Sequence, residues 1–268
     1  MNQRCLIVGI LNVTPDSFSD GGRFDSVQAA IEAGVRMAEA GADWIDVGGE
    51  STRPGSVPVP EDDEKRRVVP VIEGMKARLP AAARISIDTY KAGTARAALA
   101  AGASIVNDVS GGRLQPAILD AAAAVPGAAI VLGHMRGTPQ TMMDAIAFGD
   151  VVTEVGDELA ERVAAARAAG CGEVWADPCI GFGKRIEHNL ALLRALPALR
   201  ARVGVPLMLG VSRKSFIGQL TGKPAGERQL GSAAAIAATI LGGAAAVRVH
   251  DVGAARDVVA VASALIHD

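Results

Sequence analysis

Residues 40–47 read Ala-Gly-Ala-Asp-Trp-Ile-Asp-Val, and this junction between a helix and a short strand recurs along the chain. Glycine just past a helix adopts a left-handed conformation at no steric cost, and a β-branched or aromatic run is typical of a strand. The junction returns as Ala101-Gly102 before Ile105-Val106, Ala169-Gly170 before Val174-Trp175-Ala176, and Gly242-Gly243 before Val247-Arg248-Val249. The repetition predicts helices that alternate with parallel strands.

The helix before this junction shows the period of an amphipathic helix. Apolar or small residues fall on one face, at Val27, Ala30, Ile31, Gly34, Val35 and Ala38. The strands are short apolar runs, as expected when both faces of a parallel sheet are buried. Strands are predicted near residues 5–11, 43–47, 84–87, 104–107, 128–132, 173–176, 206–210 and 246–249. Helices are predicted near residues 26–40, 61–78, 91–101, 115–124, 150–169, 187–201, 227–242 and 252–266.

Eight strand–helix units in one chain predict an α/β fold, a (β/α)8 TIM barrel that forms a single domain over residues 1–268. An open doubly wound sheet is the alternative, but no G-x-G-x-x-G follows the first strand to support it. Polar residues follow every predicted strand. A barrel would gather them around one mouth, whereas an open sheet would spread them along an edge. The long loops after strands 1 and 2 are expected to be mobile.

The composition limits the possible classes of function. Half of the 268 residues are hydrophobic but only 3% are aromatic, so the core should consist of Ala, Val, Ile and Leu. A net charge of -2 gives no basic face for nucleic acid. The longest apolar stretch, residues 233–247, is shorter than the roughly 18 residues of a membrane span. Three scattered cysteines suit a reducing compartment, so we expect a soluble cytoplasmic protein.

Two glycine-bearing loops follow the first two strands. Residues 9–22 read G-I-L-N-V-T-P-D-S-F-S-D-G-G and residues 48–55 read G-G-E-S-T-R-P-G. Either segment could be an ordinary strand–helix loop, since such loops are rich in Pro, Asp, Ser and Gly. Arg53 could likewise be a solvated cation, but a guanidinium is also the group that grips phosphate in a bidentate manner. Two such loops on neighbouring strands suggest a lid.

Three carboxylates or amides come directly after strands, in I-D-T (87–89), V-N-D (106–108) and A-D-P (176–178). Taken singly, each could cap the helix that follows. Together, in a barrel, they would form a converging set of donors and acceptors suited to a polar heterocycle. Lys214 and Arg248 follow strands seven and eight, where barrels often bind phosphate, and His250 shares the face of Arg248. No H-x-x-H or Cys/His cluster predicts zinc.

The motifs, taken in order, resemble those of the dihydropteroate synthase family from residue 9 to residue 252. They are G-I-L-N-V-T-P-D-S-F-S-D-G-G, G-G-E-S-T-R-P-G, I-D-T, V-N-D-V-S-G, G-H-M-R-G, D-P-C-I-G-F-G-K, S-R-K-S and R-V-H-D-V. The resemblance implies that a pterin diphosphate condenses with p-aminobenzoate to give dihydropteroate. It also implies small-molecule substrates, a Mg²⁺ cofactor and a homodimer formed through the last helices.

The resemblance further assigns roles to residues of this chain. The pterin ring would be held by Asp88, Asn107, Met135, Asp177, Lys214 and Arg248. The diphosphate would be held by Asn12, Arg53, Arg248 and His250, and Mg²⁺ by the side-chain oxygen of Asn12. p-Aminobenzoate would be held by Phe18, Thr52, Pro54, Phe182, Lys214 and Ser215. The groups expected to act in catalysis are Asp20, Arg53, Lys214 and Arg248, with Asp20 and Arg53 closing as a lid.

The chain departs from the family pattern at two places. Cys179 stands where the family usually has glycine, which is expected to shift the fit of the pterin, and the N-terminus is short. Two other functions remain as alternatives. A pterin-dependent methyltransferase barrel would share Asp88, Asn107 and Asp177 but would not need a grip on diphosphate. A catalytically silent pterin-binding paralogue would be expected to lose the lid residues, both of which are present.

Overall fold

The computed structural model describes residues 4–14, 23–144 and 146–266. Within these residues, eight parallel strands alternate with helices. The strands are β1 Leu6–Asn12, β2 Trp44–Gly48, β3 Arg84–Asp88, β4 Ile105–Asp108, β5 Ala129–Gly133, β6 Glu173–Asp177, β7 Met208–Leu209 and β8 Ala246–Val249. All eight predicted strands are present, although β7 has only two residues.

Ten helices cover the outside of the described part of the chain. They are α1 Arg23–Glu39, α2 Glu61–Lys76, α3 Ala92–Ala100, α4 Ala117–Ala123, α5 Val151–Ala168, α6 Ile186–Arg194, α7 Leu196–Val203, α8 Ser215–Thr221, α9 Gln229–Leu241 and α10 Val252–Ala264. The prediction of one helix over 187–201 is wrong, because the helix breaks at Ala195. Pro197 explains the break, since proline lacks the N–H that a continuous helix would need there. The short helix α8 was not among the predicted helices.

The strands close into a barrel. Their order is β6-β5-β4-β3-β2-β1-β8-β7, and a parallel bridge between Ala176 and Leu207 joins the two ends of the sheet. The (β/α)8 barrel is therefore confirmed, and the open doubly wound sheet is excluded. All carboxyl ends of the strands point to the same end of the barrel, which places the loops that follow them around one mouth.

Side chains alternate between two hydrophobic cores, as the period of a strand requires. The larger core lies between the strands and the helices and consists mainly of Ala, Val, Ile and Leu, as predicted. The smaller core fills the barrel interior with Val8, Trp44, Ile105, Ala129, Val131, Trp175, Met208 and Ala246. Both tryptophans of the chain are in it, edge to face with ring centroids 5.0 Å apart. This core closes the barrel below the mouth.

The glycines of the repeated junction have the predicted backbone. The φ angle is 108° at Gly41 and 91° at Gly243, values that an L side chain rarely adopts. Each of these glycines turns the chain from the end of a helix into the next strand. No helix within the described residues is long and apolar enough to span a membrane.

Candidate active site

Polar side chains replace the apolar interior positions at the carboxyl ends of five strands. They are Asp46 on β2, Asp88 on β3, Asn107 on β4, Asp177 on β6 and Arg248 on β8. On β2, β4, β6 and β8 each lies two residues beyond a member of the inner core, so it faces the same interior side. The barrel therefore has an apolar lower half and a polar mouth.

Arg248 is held between two carboxylates in this mouth. Its Nε donates to Asp46 Oδ2 at 2.6 Å, and its Nη2 donates to Asp88 Oδ2 at 2.7 Å. Asn107 Nδ2 donates to the same oxygen of Asp46 at 2.9 Å. Four side chains from four strands thus form one connected network, and charged hydrogen bonds of this kind are stronger than neutral ones.

Two carboxyl groups of the mouth, those of Asp88 and Asp177, have pKa values above the usual range for aspartate. Burial raises the pKa of Asp88 to about 7, with Arg248 opposing the effect and Asp46 adding to it. Burial also raises the pKa of Asp177, whose Oδ1 accepts a hydrogen bond from Cys179 N at 2.7 Å. Carboxyl groups perturbed in this way in a concave site are typical of functional sites.

The helices that follow β3, β4 and β6 are not capped by Asp88, Asn107 or Asp177. The N-cap positions of α3, α4 and α6 are Lys91, Pro116 and Arg185. The capping interpretation is therefore wrong for these residues. Asp108 does act locally, because its oxygens accept hydrogen bonds from Ser110 and Gly112 in the loop after β4.

An apolar wall and an ammonium group stand beside the carboxylates. Met135 is 1% exposed and packs with Val109 and Cys179, with Phe182 against the same cluster. Lys214 Nζ lies 4.1 Å from the centroid of the Phe182 ring. Burial lowers the pKa of Lys214 to about 8. A flat heterocycle could pack against this wall while its polar edge meets the carboxylates.

Cations gather around His250 at the β7–β8 side of the mouth. Burial, together with the positive charges of Arg213, Arg248, Arg53 and Lys214, lowers the pKa of His250 to about 4. The ring is therefore neutral at pH 7, with Nδ1 3.1 Å from Ser212 Oγ. Sequence analysis did not assign a role to Arg213. A neutral histidine among several cations is suited to an anionic ligand, which would also raise its pKa.

The loop after β2 carries Arg53 across the mouth towards the loop after β5. Gly55 N donates to Pro139 O at 2.9 Å, and Gln140 Nε2 donates to Ser56 O. Thr52 is half-buried, while Arg53 and Pro54 are exposed. The base of the loop is tied down by Glu50, whose Oε2 accepts from Val59 N and pairs with the buried Lys91.

Asn12 is the last residue of β1 and reaches the mouth next to Asp88. Its register partner on β2 is Gly48, which places no side chain between Asn12 and Asp88. A Cβ on Gly48 would lie 3.7 Å from Asn12 Oδ1 and 3.6 Å from Asp88 Oδ2. Glycine therefore keeps a small space beside two oxygen atoms open.

Phe18 and Asp20 lie outside the described residues, so their predicted roles stay predictions. Ser215 is exposed and begins α8, directly after Lys214. The mobility predicted for the loops after β1 and β2 is likewise untested.

His134 follows β5 but turns away from the mouth. Its Nε2 lies 3.1 Å from Glu158 on α5, and its Nδ1 lies 2.9 Å from Lys184 Nζ. Lys184 also donates to the carbonyl oxygen of Phe182 at 3.1 Å. This buried cluster fixes the loop after β6 against the loop after β5, and so supports the wall of the site.

Cys179 has a φ of 51°, one of two positive values among the described non-glycine residues. The other is Arg213, at 57°. A left-handed non-glycine residue costs roughly 1–2 kcal/mol. The conformation gives a physical reason for the glycine that the family resemblance leads one to expect at position 179, and the buried thiol of Cys179 adds to the wall beside Met135.

A family model described as "Pterin binding enzyme" matches residues 8–250. The dihydropteroate synthase of Synechocystis sp. is 46% identical over 98% of this chain and 91% of its own length. The Xanthomonas albilineans enzyme with 4-aminobenzoic acid is 48% identical, with a TM-score of 0.88 over 98% of this chain and 93% of that one. The Burkholderia cenocepacia enzyme complexed with 7,8-dihydropteroate is 42% identical, with a TM-score of 0.86 over 99% and 92%.

The fold, the polar mouth and the family match define a pterin-binding enzyme built on a (β/α)8 barrel. Within this class, the chain shares more than 40% sequence identity with dihydropteroate synthases over almost the whole length of both chains. The chain belongs to the dihydropteroate synthase family.

Proposed function

We propose that the protein condenses 6-hydroxymethyl-7,8-dihydropterin diphosphate with p-aminobenzoate, giving 7,8-dihydropteroate and pyrophosphate. The observation that carries this proposal is the meeting of Asp88, Asn107, Asp177, Lys214 and Arg248 at one mouth, with Arg248 bonded to Asp88 at 2.7 Å. Carboxylate and amide oxygens suit the amino-pyrimidine edge of a pterin, and a guanidinium can stack on its ring. The apolar wall with Met135 would pack against the ring.

The diphosphate would lie at the cationic side of the mouth. Arg53, Arg248 and His250 would hold its oxygens, and Arg213, which sequence analysis did not assign, adds positive charge there. The bond between the pterin methylene carbon and the bridging oxygen breaks, and its electron pair leaves with pyrophosphate. The nearby cations stabilise the charge that develops on this leaving group.

The arylamine nitrogen then bonds to the same carbon and loses a proton. A neutral arylamine is already a nucleophile, so no activated serine or cysteine is needed for this step. The p-aminobenzoate would lie between Phe182 and Lys214 on one side and the loop after β2 on the other. Its pocket would be completed by Phe18, Thr52, Pro54 and Ser215.

The residues at Asn12 fit a magnesium ion. Mg²⁺ prefers oxygen ligands and usually keeps several waters together with substrate phosphates, so one protein oxygen is enough. Asn12 Oδ1 faces the space that Gly48 leaves open. When bound there, the ion would neutralise charge on the diphosphate. In the described ranges, no group of three or more His, Cys, Asp and Glu side chains could hold a metal.

Closure of the two loops would exclude water that could capture the electron-poor carbon. The loop that carries Arg53 is held towards the loop after β5 by hydrogen bonds from Gly55 to Pro139 and from Gln140 to Ser56. Asp20 would join it from the loop after β1. Exclusion of water also strengthens the electrostatic interactions inside the site.

We also propose that the protein is a homodimer formed through its last helices. Large apolar side chains are exposed on this surface, with Leu230 83%, Val261 64% and Leu265 72% exposed. Large exposed apolar side chains are common at association surfaces. The three cysteines are free and buried, which suits a cytoplasmic protein.

Mixing the protein with pterin diphosphate, p-aminobenzoate and Mg²⁺ tests the function. Mass spectrometry should show dihydropteroate and an equal amount of pyrophosphate. Release of pyrophosphate without dihydropteroate would mean hydrolysis. Binding of the pterin without any turnover would identify a silent paralogue instead.

A further inference from the structure

Among the acidic side chains that face the barrel interior from the described strands at the mouth, Asp46 is the one to which the family resemblance assigned no role. It lies on β2 two residues beyond Trp44, faces the barrel interior and is completely buried. A carboxylate in such a place costs free energy unless it is paired. Its position within an apolar strand therefore requires an explanation.

One oxygen of Asp46 holds two residues that are expected to contact the pterin. Oδ2 accepts from Asn107 Nδ2 at 2.9 Å and from Arg248 Nε at 2.6 Å. The other oxygen, Oδ1, is buried and has no hydrogen-bond partner among the residues that the structure describes. A buried ion pair is by itself weak evidence of a contribution to stability, so the place of Asp46 beside two residues expected to contact the pterin points to a role in the site.

The contact with Asn107 fixes which way the side-chain amide points. A carboxylate only accepts hydrogen bonds, so the group of Asn107 that faces Asp46 must be the NH2. The amide oxygen is then turned away from Asp46 and is the acceptor that Asn107 offers to a ligand. Rotating the amide by half a turn would bring two acceptor oxygens together, which is strongly unfavourable.

The contact with Arg248 fixes the guanidinium in the same way. Asp46 takes Nε and Asp88 takes Nη2, so the planar group cannot rotate without losing a charged hydrogen bond. One carboxylate thus sets the direction of an acceptor on β4 and the plane of a cation on β8.

We propose that Asp46 is a positioning residue that orients Asn107 and Arg248 for the pterin before it binds. The inference rests on the proposed function, because the ligand in question is the pterin of that reaction. Asp46 itself acts through its two neighbours and is not a catalytic residue.

Two variants of Asp46 and one control test the proposal. Asp46→Asn can keep an oxygen facing both neighbours but loses the charge, whereas Asp46→Ala removes the oxygen. Pterin affinity by calorimetry should fall at least threefold in the first and about ten- to a hundredfold in the second. The KM for p-aminobenzoate should change much less. Ser86→Ala is the control, since Ser86 is the buried register partner of Asp46 and is expected to leave pterin affinity within about twofold.

A spectroscopic measurement on the ligand-free protein does not depend on pterin binding. The chain has four asparagines, so selective nitrogen-15 labelling gives four side-chain amide pairs. In the ligand-free protein the Asn107 pair should contain one proton protected from exchange. Asp46→Ala should abolish this protection and Ser86→Ala should keep it. Asn189, whose Nδ2 donates to Lys184 O, is a buried reference far from Asp46 in sequence.

The outcomes separate the two hypotheses. A wild-type protein that does not bind pterin contradicts the proposed function, while the amide measurement still reports whether Asp46 holds Asn107. If pterin binds but either Asp46 variant binds it as well as wild type, the positioning role is overturned. Should Asp46→Ala fail to fold, an unprotected Asn107 amide in the wild type overturns it equally.

Discussion

Arg248 Nη2 donates to Asp88 Oδ2 at 2.7 Å and thereby ties β8 to β3 across the mouth of the barrel. The two residues are 160 positions apart in the chain. Each is proposed to contact the pterin ring, and their hydrogen bond would then shape the pocket before the ligand binds. Burial raises the pKa of Asp88 to about 7, while Arg248 opposes this shift.

The first prediction concerns the pH dependence of pterin binding. A carboxyl group with a pKa near 7 is ionised above that pH and protonated below it, and only the ionised form accepts hydrogen bonds with both oxygens. Affinity for 6-hydroxymethyl-7,8-dihydropterin should therefore be several-fold lower at about pH 5.5 than at about pH 8. Asp88→Asn should bind weakly at both pH values. Its pH dependence over this range should also be smaller than that of the wild type. If pterin affinity changed equally with pH in the wild type and in Asp88→Asn, ionisation of Asp88 would not control binding.

The second prediction concerns Asp177, which should accept hydrogen bonds from the amino-pyrimidine edge. Asp177→Asn places a donor against a donor and leaves a buried polar contact unpaired, a loss on the order of 1–3 kcal/mol. Pterin affinity measured by calorimetry should fall about ten- to a hundredfold. Glu173→Gln makes the same chemical change at the other end of β6, where Glu173 pairs with Arg84, and should leave affinity unchanged. Similar losses in both variants would point to damage to the strand and away from a role in recognition.

The third prediction concerns Arg53 in the loop after β2. Arg53→Ala should lower kcat much more than it weakens pterin binding, because the guanidinium acts mainly on charge that develops as pyrophosphate leaves. Steady-state kinetics combined with direct binding would measure the two effects. Arg66→Ala removes an exposed arginine that pairs with Asp63 on α2, and should change neither. Equal losses of kcat and affinity in Arg53→Ala would mean that Arg53 only binds the substrate and gives no additional stabilisation to the transition state.

Sequence analysis predicted the barrel and most of the site because both depend on local patterns. The junction at residues 40–47 is repeated, and the strand ends carry motifs in a fixed order. It missed Asp46 because a strand sequence does not show which face points into a barrel. An acidic residue inside the apolar run Trp44–Val47 was nevertheless a signal, since a buried carboxylate needs a partner. Arg213 was missed because its contribution depends on where the turn after β7 places it, and that is a tertiary property.

The fourth prediction concerns the left-handed residue Cys179. Cys179→Gly should change the free energy of unfolding by no more than about 1 kcal/mol, because relief of backbone strain offsets the loss of packing and the greater entropy of the unfolded chain. Cys179→Val should destabilise by more than about 2 kcal/mol, since a β-branched residue tolerates positive φ poorly. Cys171 is also buried but is not among the positive-φ residues, so Cys171→Val is the matched control and should cost less. Chemical denaturation of the variants would measure the differences. Equal costs for valine at both positions would contradict the role assigned to backbone strain.

The most direct test of the account follows the oxygen atom that bridges the pterin methylene and the diphosphate. The substrate is labelled there with oxygen-18 and incubated with the protein, p-aminobenzoate and Mg²⁺, and both products are analysed by mass spectrometry. Attack of the arylamine on carbon predicts that all of the label is in pyrophosphate, with an equal amount of dihydropteroate. Label retained on the pterin, or pyrophosphate formed without dihydropteroate, would contradict the condensation proposed for this site.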